Sequence, residues 1–424
     1  MKNLISIAQK LDRIGRKAYI VGSYNVHKIL NRNFGSDFDL TTPATPEEIR
    51  SVLKVTGEIG SKYGTLIIKE GGQAFEITTF RKDIGTVNHR KPAEVIFTEF
   101  LEEDAIRRDF TFNAIYYDIL EDRYIDPTGG IKDLENGTIR FVGDINKRLD
   151  EDILRLLRYI RLKNKYGLNP ADNRYDDIIR SRISELENIS KERIKQELDK
   201  MIIDKTNIKA LNDLKDLGFF RFFIPHIDNL SLTPGGKLMH KEGNVWIHVL
   251  LSIEALNRMK IKDIDIFWAT LLHDIGKYST YSYDDFGNVH YFRHELEGVK
   301  MFDDIISKDM YFSKKSARKI SYLIKNHIRV GTIEQMKKIK ANRFMMDRYF
   351  EDLITLYDVD NIGKYPPDLE CGPRLKKMHE EFKIRLSKTD FLNGNDIIKM
   401  NPSLKGSMIG YRLKQENDKI LSRI

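Results

Sequence analysis

Asp37 and Asp39 are separated by one residue within SDFDLTT (36–42). Alternate residues of a strand share a face, so both carboxylates point the same way. Two hard oxygen ligands side by side suit Mg²⁺, which would bridge a nucleotide's phosphates and an attacking hydroxyl. Upstream, Gly22-Ser23 falls where a strand gives way to a helix. A small residue there lets backbone N–H groups approach a phosphate beside the helix N-terminus. Glu76, in FEITTF (75–80), offers a third carboxylate on a later strand. An isolated Asp-x-Asp is usually a solvated strand end. The glycine-serine turn before it, in an α/β context, suggests nucleotidyl transfer.

Two more clusters follow. RRDFTFNA (107–114) sets Arg107, Arg108, Asp109 and Asn113 just before a strand. Arginines there can hold a triphosphate bidentately, and Asp and Asn can take a ribose hydroxyl; a charged helix cap is the plainer reading. In DEDILRLLR (150–158), Glu151, Asp152, Arg155 and Arg158 recur at helical spacing. Asp152 and Arg155 would be i,i+3 neighbours on one face, the pattern of an ordinary surface ion pair.

The fourth cluster is rich in histidine. His240 precedes a helix that carries His248, and WATLLHDIGK (268–277) puts His273-Asp274 at the end of an apolar helix. His290, His294 and His327 follow, then Asp360 with Asp358 as its alternative. Neutral imidazoles with aspartates suit Mg²⁺, Mn²⁺, Ni²⁺ or Fe²⁺, and such a metal could activate water for phosphate-ester hydrolysis. Adjacent His and Asp reach one metal only at a helix break, which Gly276 is expected to supply.

These residues need elements to position them. AYIVG (18–22), SDFDLTT, TLIIK (65–69), AFEITTF (74–80) and NAIYYDI (113–119) are apolar and β-branched, and predict strands. NVHKIL and TPEEIRSVL predict helices, the second capped by Thr45 before Pro46. From about residue 140 the strand signal vanishes and helical spacing takes over. Residues 230–236 (LSLTPGG) suggest a linker. The chain has 424 residues, enough for two to four domains at ~100–200 residues each. The expected division is 1–138, 139–230, 231–361 and a basic helical tail, 362–424. A single cysteine, Cys371, excludes a disulfide framework and a multi-Cys zinc site. Cys371, Trp246 and Trp268 are expected to pack, and the Lys runs at 314–319 and 337–340 to be solvated faces. The N-terminus predicts an amphipathic helix, not a signal peptide. No apolar run is long enough for a membrane span, and a cytoplasmic protein is expected. The net charge of +8 suits a nucleic-acid partner, though an AT-rich genome favouring lysine accounts for it as well.

The first ~200 residues resemble the class II tRNA nucleotidyltransferases, the CCA-adding enzymes and their poly(A) polymerase relatives. The stretches that carry the likeness are GSDFDLTTPAT, EITTFR, HRKPAEVIFTEFLEEDAIRRDFTFNAIYYD, IDPTGGIKDL, TIRFVGD, DEDILRLLRYIRL and ISKERIKQELDKMI, in the family's order. The pattern H…HD…H…D resembles the HD phosphohydrolase superfamily. The likeness implies a multidomain α+β chain. A polymerase-beta-like nucleotidyltransferase α/β head would precede an all-α neck, HD region and tail. It implies two Mg²⁺ ions on Asp37 and Asp39, with Glu76 as a helper, and addition of CMP and AMP from CTP and ATP to tRNA. Gly22, Ser23, Arg107, Arg108, Asp109 and Asn113 would hold the nucleotide with Glu151 and Arg158. Asp152 and Arg155 would act as a protein template, reading the donor–acceptor edge that C and A share. His248, His273, Asp274 and Asp360 would be HD metal ligands, and His294 and His327 would bind a second metal or the phosphate. Hydrolysis of 2′,3′-cyclic or 2′-phosphate RNA ends is the matching activity; a retained fold that only packs on RNA is the other reading. No obligate protein partner is evident.

The chain departs from the family at Ser23 and at Val26-His27-Lys28, where a glycine and Val-Arg-Asp are usual. That puts a triphosphate or sugar contact in doubt. Asn88-His89-Arg90-Lys91-Pro92 stands for the flexible loop and is of full length, which favours complete CCA addition. A-adding and CC-adding enzymes and a poly(A) polymerase are the near alternatives. An RNA-binding HD phosphohydrolase with an impaired head is the distant one.

Overall fold

The structure is a computed structural model that describes residues 1–33, 35, 38–59, 63–85, 94–236 and 243–424. Asp37, His240 and the stretch Asn88–Pro92 lie outside the described residues. The chain divides into two compact units. The first is Met1–Met201 with Asp216–Gly218; the second is Ile202–Lys215 with Phe219–Ile424.

The first unit is built on a mixed sheet. Its strands are β1 (Tyr19–Val21), β2 (Asp39–Thr42), β3 (Val55–Glu58), β4 (Thr65–Glu70), β5 (Gln73–Thr79), β8 (Tyr116–Asp118) and β9 (Arg123–Ile125). β6 (Arg81–Ile84) and β7 (Glu94–Phe97) form a separate hairpin. The order across the sheet is β3-β4-β5-β2-β1-β8-β9. β2 and β5 run parallel, and the other pairings are antiparallel. One sheet face is apolar. Ile20, Leu40, Leu66, Ile68, Phe75 and Ile77 pack there against Leu4, Ile7 and Leu11 of the helix Lys2–Asp12. Period-two alternation then sends Asp39 and Glu76 to the opposite face. The expected N-terminal amphipathic helix is present. Thr45 caps the helix Pro46–Val52 through a reciprocal capping box with Glu48.

Two secondary-structure readings of the sequence need correction. DEDILRLLRYIRL is not one helix: Ile145–Glu151 stops at Asp152, which is extended (φ −152°, ψ 102°), and a second helix starts at Arg155. Asp152 and Arg155 therefore flank a break and are not i,i+3 neighbours on one helix face. Nor is the chain after residue 140 free of strands. Thr138–Ile139 pairs with Asn169–Pro170, and a hairpin forms from Tyr281–Tyr283 and Val289–Tyr291.

The second unit is otherwise helical. Val245–Arg258, Ile264–Leu272, Lys314–Asn326 and Phe350–Ile362 pack around Val249, Leu256, Trp268, Leu271, Leu323 and Leu353. The stretch read as a linker is packed: Leu230 and Thr233 are buried, and Thr233 Oγ1 donates to the Asn229 carbonyl at 2.9 Å. Trp246, Trp268 and Cys371 are buried as expected. Lys319 is not on a solvated face; it is buried between Asp263 and Asp352, at 2.7 and 2.8 Å.

Candidate functional sites

β1 delivers Gly22 at its end in a left-handed conformation (φ +74°). A Cβ on Gly22 would come within 3.1 Å of Asp39 Oδ2, so a side chain there would crowd the carboxylate. Asn25, buried just beyond, donates to the carbonyls of Ile20 and Ile115, both at 2.8 Å, and ties the turn to β1 and the approach to β8. Asp39 is in direct register with Glu76 across the parallel pair β2–β5. Both are exposed, so two carboxylates face solvent side by side. Hard oxygen donors in that arrangement fit Mg²⁺.

Those carboxylates open onto a cleft of about 1230 Å³. Gly22, Ser23, Arg107, Arg108, Asp109, Asn113, Glu151, Asp152, Arg155 and Arg158 line it with them. The structure thus brings together every expected residue of the first three clusters that it describes. Of the departures from the family pattern, Ser23 lines the cleft, whereas His27 and Lys28 turn aside. His27 meets Tyr166 edge-on, with centroids 5.8 Å apart, and Lys28 Nζ sits 4.1 Å from the Tyr117 ring centroid.

Ion pairs fix the cleft wall. Asp104 is fully buried; its Oδ1 accepts from Arg107 Nη2 at 2.5 Å, and its Oδ2 from Arg108 Nη2 at 2.8 Å and Tyr116 Oη at 2.6 Å. Burial would raise the Asp104 carboxyl, but the two guanidiniums outweigh it and hold the group well below the usual carboxylate range. Asp109 is buried too. It accepts from Asn113 Nδ2 and the Phe110 amide, both at 2.9 Å, and pairs with Arg158 at 2.8 Å. There again burial pushes upward and Arg158 wins, leaving the carboxyl depressed.

Asp152 and Arg155 have different partners. Asp152 Oδ2 accepts from Arg193 Nη2 at 2.9 Å, while Arg155 pairs with Glu151 at 2.5 Å and donates to the carbonyls of Arg148 and Arg107 at 2.8 and 2.9 Å. Arg193, which lines the cleft, and Asp104, buried behind its arginines, are residues the sequence reading passed over. Asp104 had a usable signal, since Asp-x-x-Arg-Arg is the i,i+3 and i,i+4 spacing of a helical ion pair. Arg193 had none, because its partner is 41 residues away.

The second unit gathers the histidines. His248 and His273 lie with Asp274 in one group, and Asp274 with His294 and His327 in another. Asp360 Oδ1 lies 2.9 Å from His248 Nε2 and 3.5 Å from His273 Nε2. Asp358 turns away to Lys376, at 3.0 Å, and His290 turns away to Asp284, at 3.1 Å. The break that lets His273 and Asp274 share a site lies at residues 273–276, but Gly276 is not left-handed (φ −74°). Its role is close approach: a Cβ there would stand 2.1 Å from the His294 carbonyl oxygen.

Four imidazoles are oriented alike. Nδ1 of His273, His294, His327 and His248 faces the carbonyls of Thr270, Tyr291, Ile324 and Gly363 at 2.8, 2.9, 2.7 and 3.3 Å. A carbonyl only accepts, so each Nδ1 is the donor and each Nε2 points inward, with a lone pair where the ring is neutral. His294 Nε2 and His327 Nε2 then face each other at 3.3 Å as two acceptors. His273 Nε2 and Asp274 Oδ1 are buried with no hydrogen-bond partner. A divalent cation satisfies this donor set. Burial, with His273 and His294 beside it, pushes His327 down to about 3, so it stays neutral as a ligand must. Burial would lower His273, but Asp274 and Asp360 draw it up to about 10, so its Nε2 holds a proton that a cation would have to replace before that nitrogen could act as a ligand. Lys277 Nζ reaches Asp274 Oδ2 at 2.6 Å and Lys364 Nζ reaches Asp360 Oδ2 at 3.1 Å. Lys277 is buried and Lys364 half-buried, each paired with a carboxylate of the cluster.

Comparison with known proteins follows this division. Residues 18–140 match the family model of the poly A polymerase head domain, and residues 245–360 match that of the HD domain. Two stretches of the chain are thus similar to a poly A polymerase head and to an HD domain. Between them, residues 177–230 match the model described as the probable RNA and SrmB-binding site of polymerase A. The CCA-adding enzyme of Staphylococcus haemolyticus is 35% identical over 251 residues, 59% of this chain and 62% of that protein. That of Geobacillus thermodenitrificans is 38% identical over 214 residues, 50% of this chain and 52% of its own length. The chain thus spans just over half the length of these curated relatives. The crystal structure of the Bacillus stearothermophilus CCA-adding enzyme in complex with CTP has the same fold. It has a TM-score of 0.72 at 23% identity and covers 100% of this chain and 93% of its own. The Thermotoga maritima CCA-adding enzyme complexed with tRNA follows at TM-score 0.60 and 17% identity, covering 99% and 90%. The fold is mixed α+β, with the sheet in the head and helices after it. Among the described residues, no helix is long and apolar enough to cross a membrane.

Proposed function

We propose that the chain adds CMP and AMP, from CTP and ATP, to the 3′ end of tRNA. The observation that carries this is one cleft joining the carboxylate pair Asp39–Glu76 to Asp152 and Arg155. Asp39 and Glu76, with Asp37, would hold Mg²⁺. When bound, the metal lowers the barrier by stabilising charge on the attacking and leaving oxygens. The tRNA 3′ oxygen forms a bond to the α-phosphorus, the bond to the β-phosphate oxygen breaks, and pyrophosphate leaves. Gly22 and the Ser23 helix start give the phosphates a close backbone approach, and Arg107 and Arg108 supply positive charge held in place by Asp104. Asp109 and Asn113 face the sugar.

Asp152 accepts from the amino group of C or A, and Arg155 donates to the adjacent ring nitrogen. U and G present the reverse pattern and leave a buried mismatch. The relatives named as CCA-adding enzymes support complete addition over partial addition or poly(A) synthesis. We read residues 1–138 as the head, 139–230 as the nucleotide-selecting neck, 231–361 as the HD region and 362–424 as a basic tail, acting in the cytoplasm. The test is to supply tRNAs lacking CCA, CA or A with each NTP and read product length. Strict C, C, A addition supports the proposal, and no extension of any end defeats it.

A second reading has its own observation: the facing Nε2 atoms of His294 and His327, with Asp274 common to both groups. The HD domain would hold a divalent metal and hydrolyse 2′,3′-cyclic or 2′-phosphate RNA ends. A blocked 3′ end cannot be extended, so one chain would clear the end and then rebuild it. Assaying the wild-type protein on a cyclic-phosphate RNA with Mg²⁺, Mn²⁺, Ni²⁺ or Co²⁺ tests it, and hydrolysis with none of them leaves an RNA-binding scaffold.

A further inference from the structure

Between Lys277 and His294 the chain inserts the hairpin Tyr281–Tyr283/Val289–Tyr291. Residues opposite each other in an antiparallel ladder share a face. Tyr281 lies opposite Tyr291 and Tyr283 opposite Val289, so the three tyrosines stand on one face. Tyr291 is the inner end of this row. Its ring meets His294 edge-on at 6.2 Å, and Lys277 Nζ is 5.0 Å from its centroid. Outward from it, Tyr281 is 6.1 Å from Tyr283 and 6.3 Å from Tyr278, centroid to centroid. The outer rings are open: Tyr278 is 39% exposed, Tyr281 41% and Tyr283 60%.

We propose that Tyr278, Tyr281 and Tyr283 form a stacking platform for the unpaired bases next to an RNA 3′ end whose phosphate lies in the HD cluster. The proposal rests on the hydrolase reading of that cluster. An exposed row of aromatic rings is costly to keep without a partner. Unpaired bases stack on such rings, and phenol hydroxyls stay in water at the rim. An apolar protein surface is the competing occupant. Two features favour RNA. The row ends at the cluster rather than on open surface. The groups at that end, His294 and the ion pairs Lys277–Asp274 and Lys364–Asp360, are polar and charged, which suits a phosphate-bearing end and not an apolar partner. The platform would thus set substrate size: a short RNA end would bind, and a base-free phosphodiester would gain nothing from it.

Tyr281 and Tyr283 are solvent-exposed, so Tyr281→Ala/Tyr283→Ala should fold as the wild type does. The two substrates are a pentaribonucleotide ending in 2′,3′-cyclic phosphate and bis(p-nitrophenyl) phosphate. The expected result is KM raised ~10- to 100-fold for the RNA, kcat held, and the base-free diester unaffected. Tyr281→Phe/Tyr283→Phe should restore the RNA KM. Equal losses on both substrates, or no change on the RNA, would overturn the platform. Wild-type protein that hydrolyses neither substrate would defeat the hydrolase reading instead. Ultraviolet cross-linking of the same RNA, mapped on tryptic peptides, then decides the platform alone. Adducts on the peptide 278–293 support it, and adducts confined to other peptides overturn it.

Discussion

Arg193 Nη2 lies 2.9 Å from Asp152 Oδ2, so the carboxylate expected to read the incoming base is held by a guanidinium from the helix Lys191–Ile202. Arg155 is held separately, by Glu151 and two backbone carbonyls. Each member of the pair is thus oriented by its own partners before any nucleotide arrives. Preorganised groups discriminate better because no ordering cost is left for the substrate to meet.

Asp152→Ala and Arg155→Ala should therefore let UTP or GTP in at levels close to CTP. A bidentate edge contact typically discriminates by ~1–3 kcal/mol, a value borrowed from DNA bases. Misincorporation on tRNA lacking CCA, read by product mass, is the measurement. Variants that lose all activity evenly while keeping strict C and A choice would overturn the template role.

Asp39→Ala should abolish addition of both C and A while tRNA binding stays near normal. Its register partner Glu76 shares the exposed face, so Glu76→Ala should lower the rate as well, by a smaller factor. Loss of a metal ligand that serves the transition state should cost several kcal/mol, or roughly a hundredfold or more in rate. Single-turnover addition together with a filter-binding assay separates the two effects. An Asp39→Ala protein keeping more than about a tenth of the wild-type rate would remove this site.

The strand pattern of the head was legible because alternation reports directly on a sheet with one apolar face: Leu40 and Ile77 go in, Asp39 and Glu76 go out. The break at Asp152 was not legible. Ile145, Leu149, Ile153, Leu156 and Ile160 keep a continuous helical spacing across it, and the extended residue is stabilised by Arg193 from far along the chain. The hairpin at 281–291 was missed for a related reason. YSYDDFGNVHYF is short and aromatic among helices, and its turn signals, Asp284 and Gly287, carry no period. Gly276 was expected to break the helix; only the fold reveals that the His294 carbonyl presses against it.

Gly276→Ala is the direct test of that contact. A methyl group 2.1 Å from a backbone oxygen must push the helix His294–Met301 away. His294 and His327 should then lose their alignment with Asp274, while His248 and Asp360 keep theirs. The expected readout is weaker divalent-metal binding by the full chain, measured by calorimetry, with CCA addition unchanged. Wild-type metal affinity in this variant would show that the second group of ligands does not depend on the close approach. His273→Ala/Asp274→Ala should remove metal binding by the HD domain altogether, again with CCA addition intact.

Asp104 gives a prediction about stability and pH. Its folded-state carboxyl sits below the ordinary ~3.9 of an unfolded Asp, because Arg107 and Arg108 outweigh its burial. A group whose folded pKa is depressed stabilises the fold fully above the unfolded value. That stabilisation is lost as pH falls through the folded value. The head should therefore lose this contribution progressively below about pH 4. Asp104→Asn removes the charge at every pH and leaves two guanidiniums facing a neutral amide. Breaking one side of a buried pair costs ~3–5 kcal/mol, so its melting temperature at pH 7 should fall clearly, and its acid limb should flatten relative to the wild type. Thermal melts at pH 7 and across pH 3–5 check both parts, and an Asn variant as stable as the wild type at pH 7 would mean that Asp104 does not anchor the arginines.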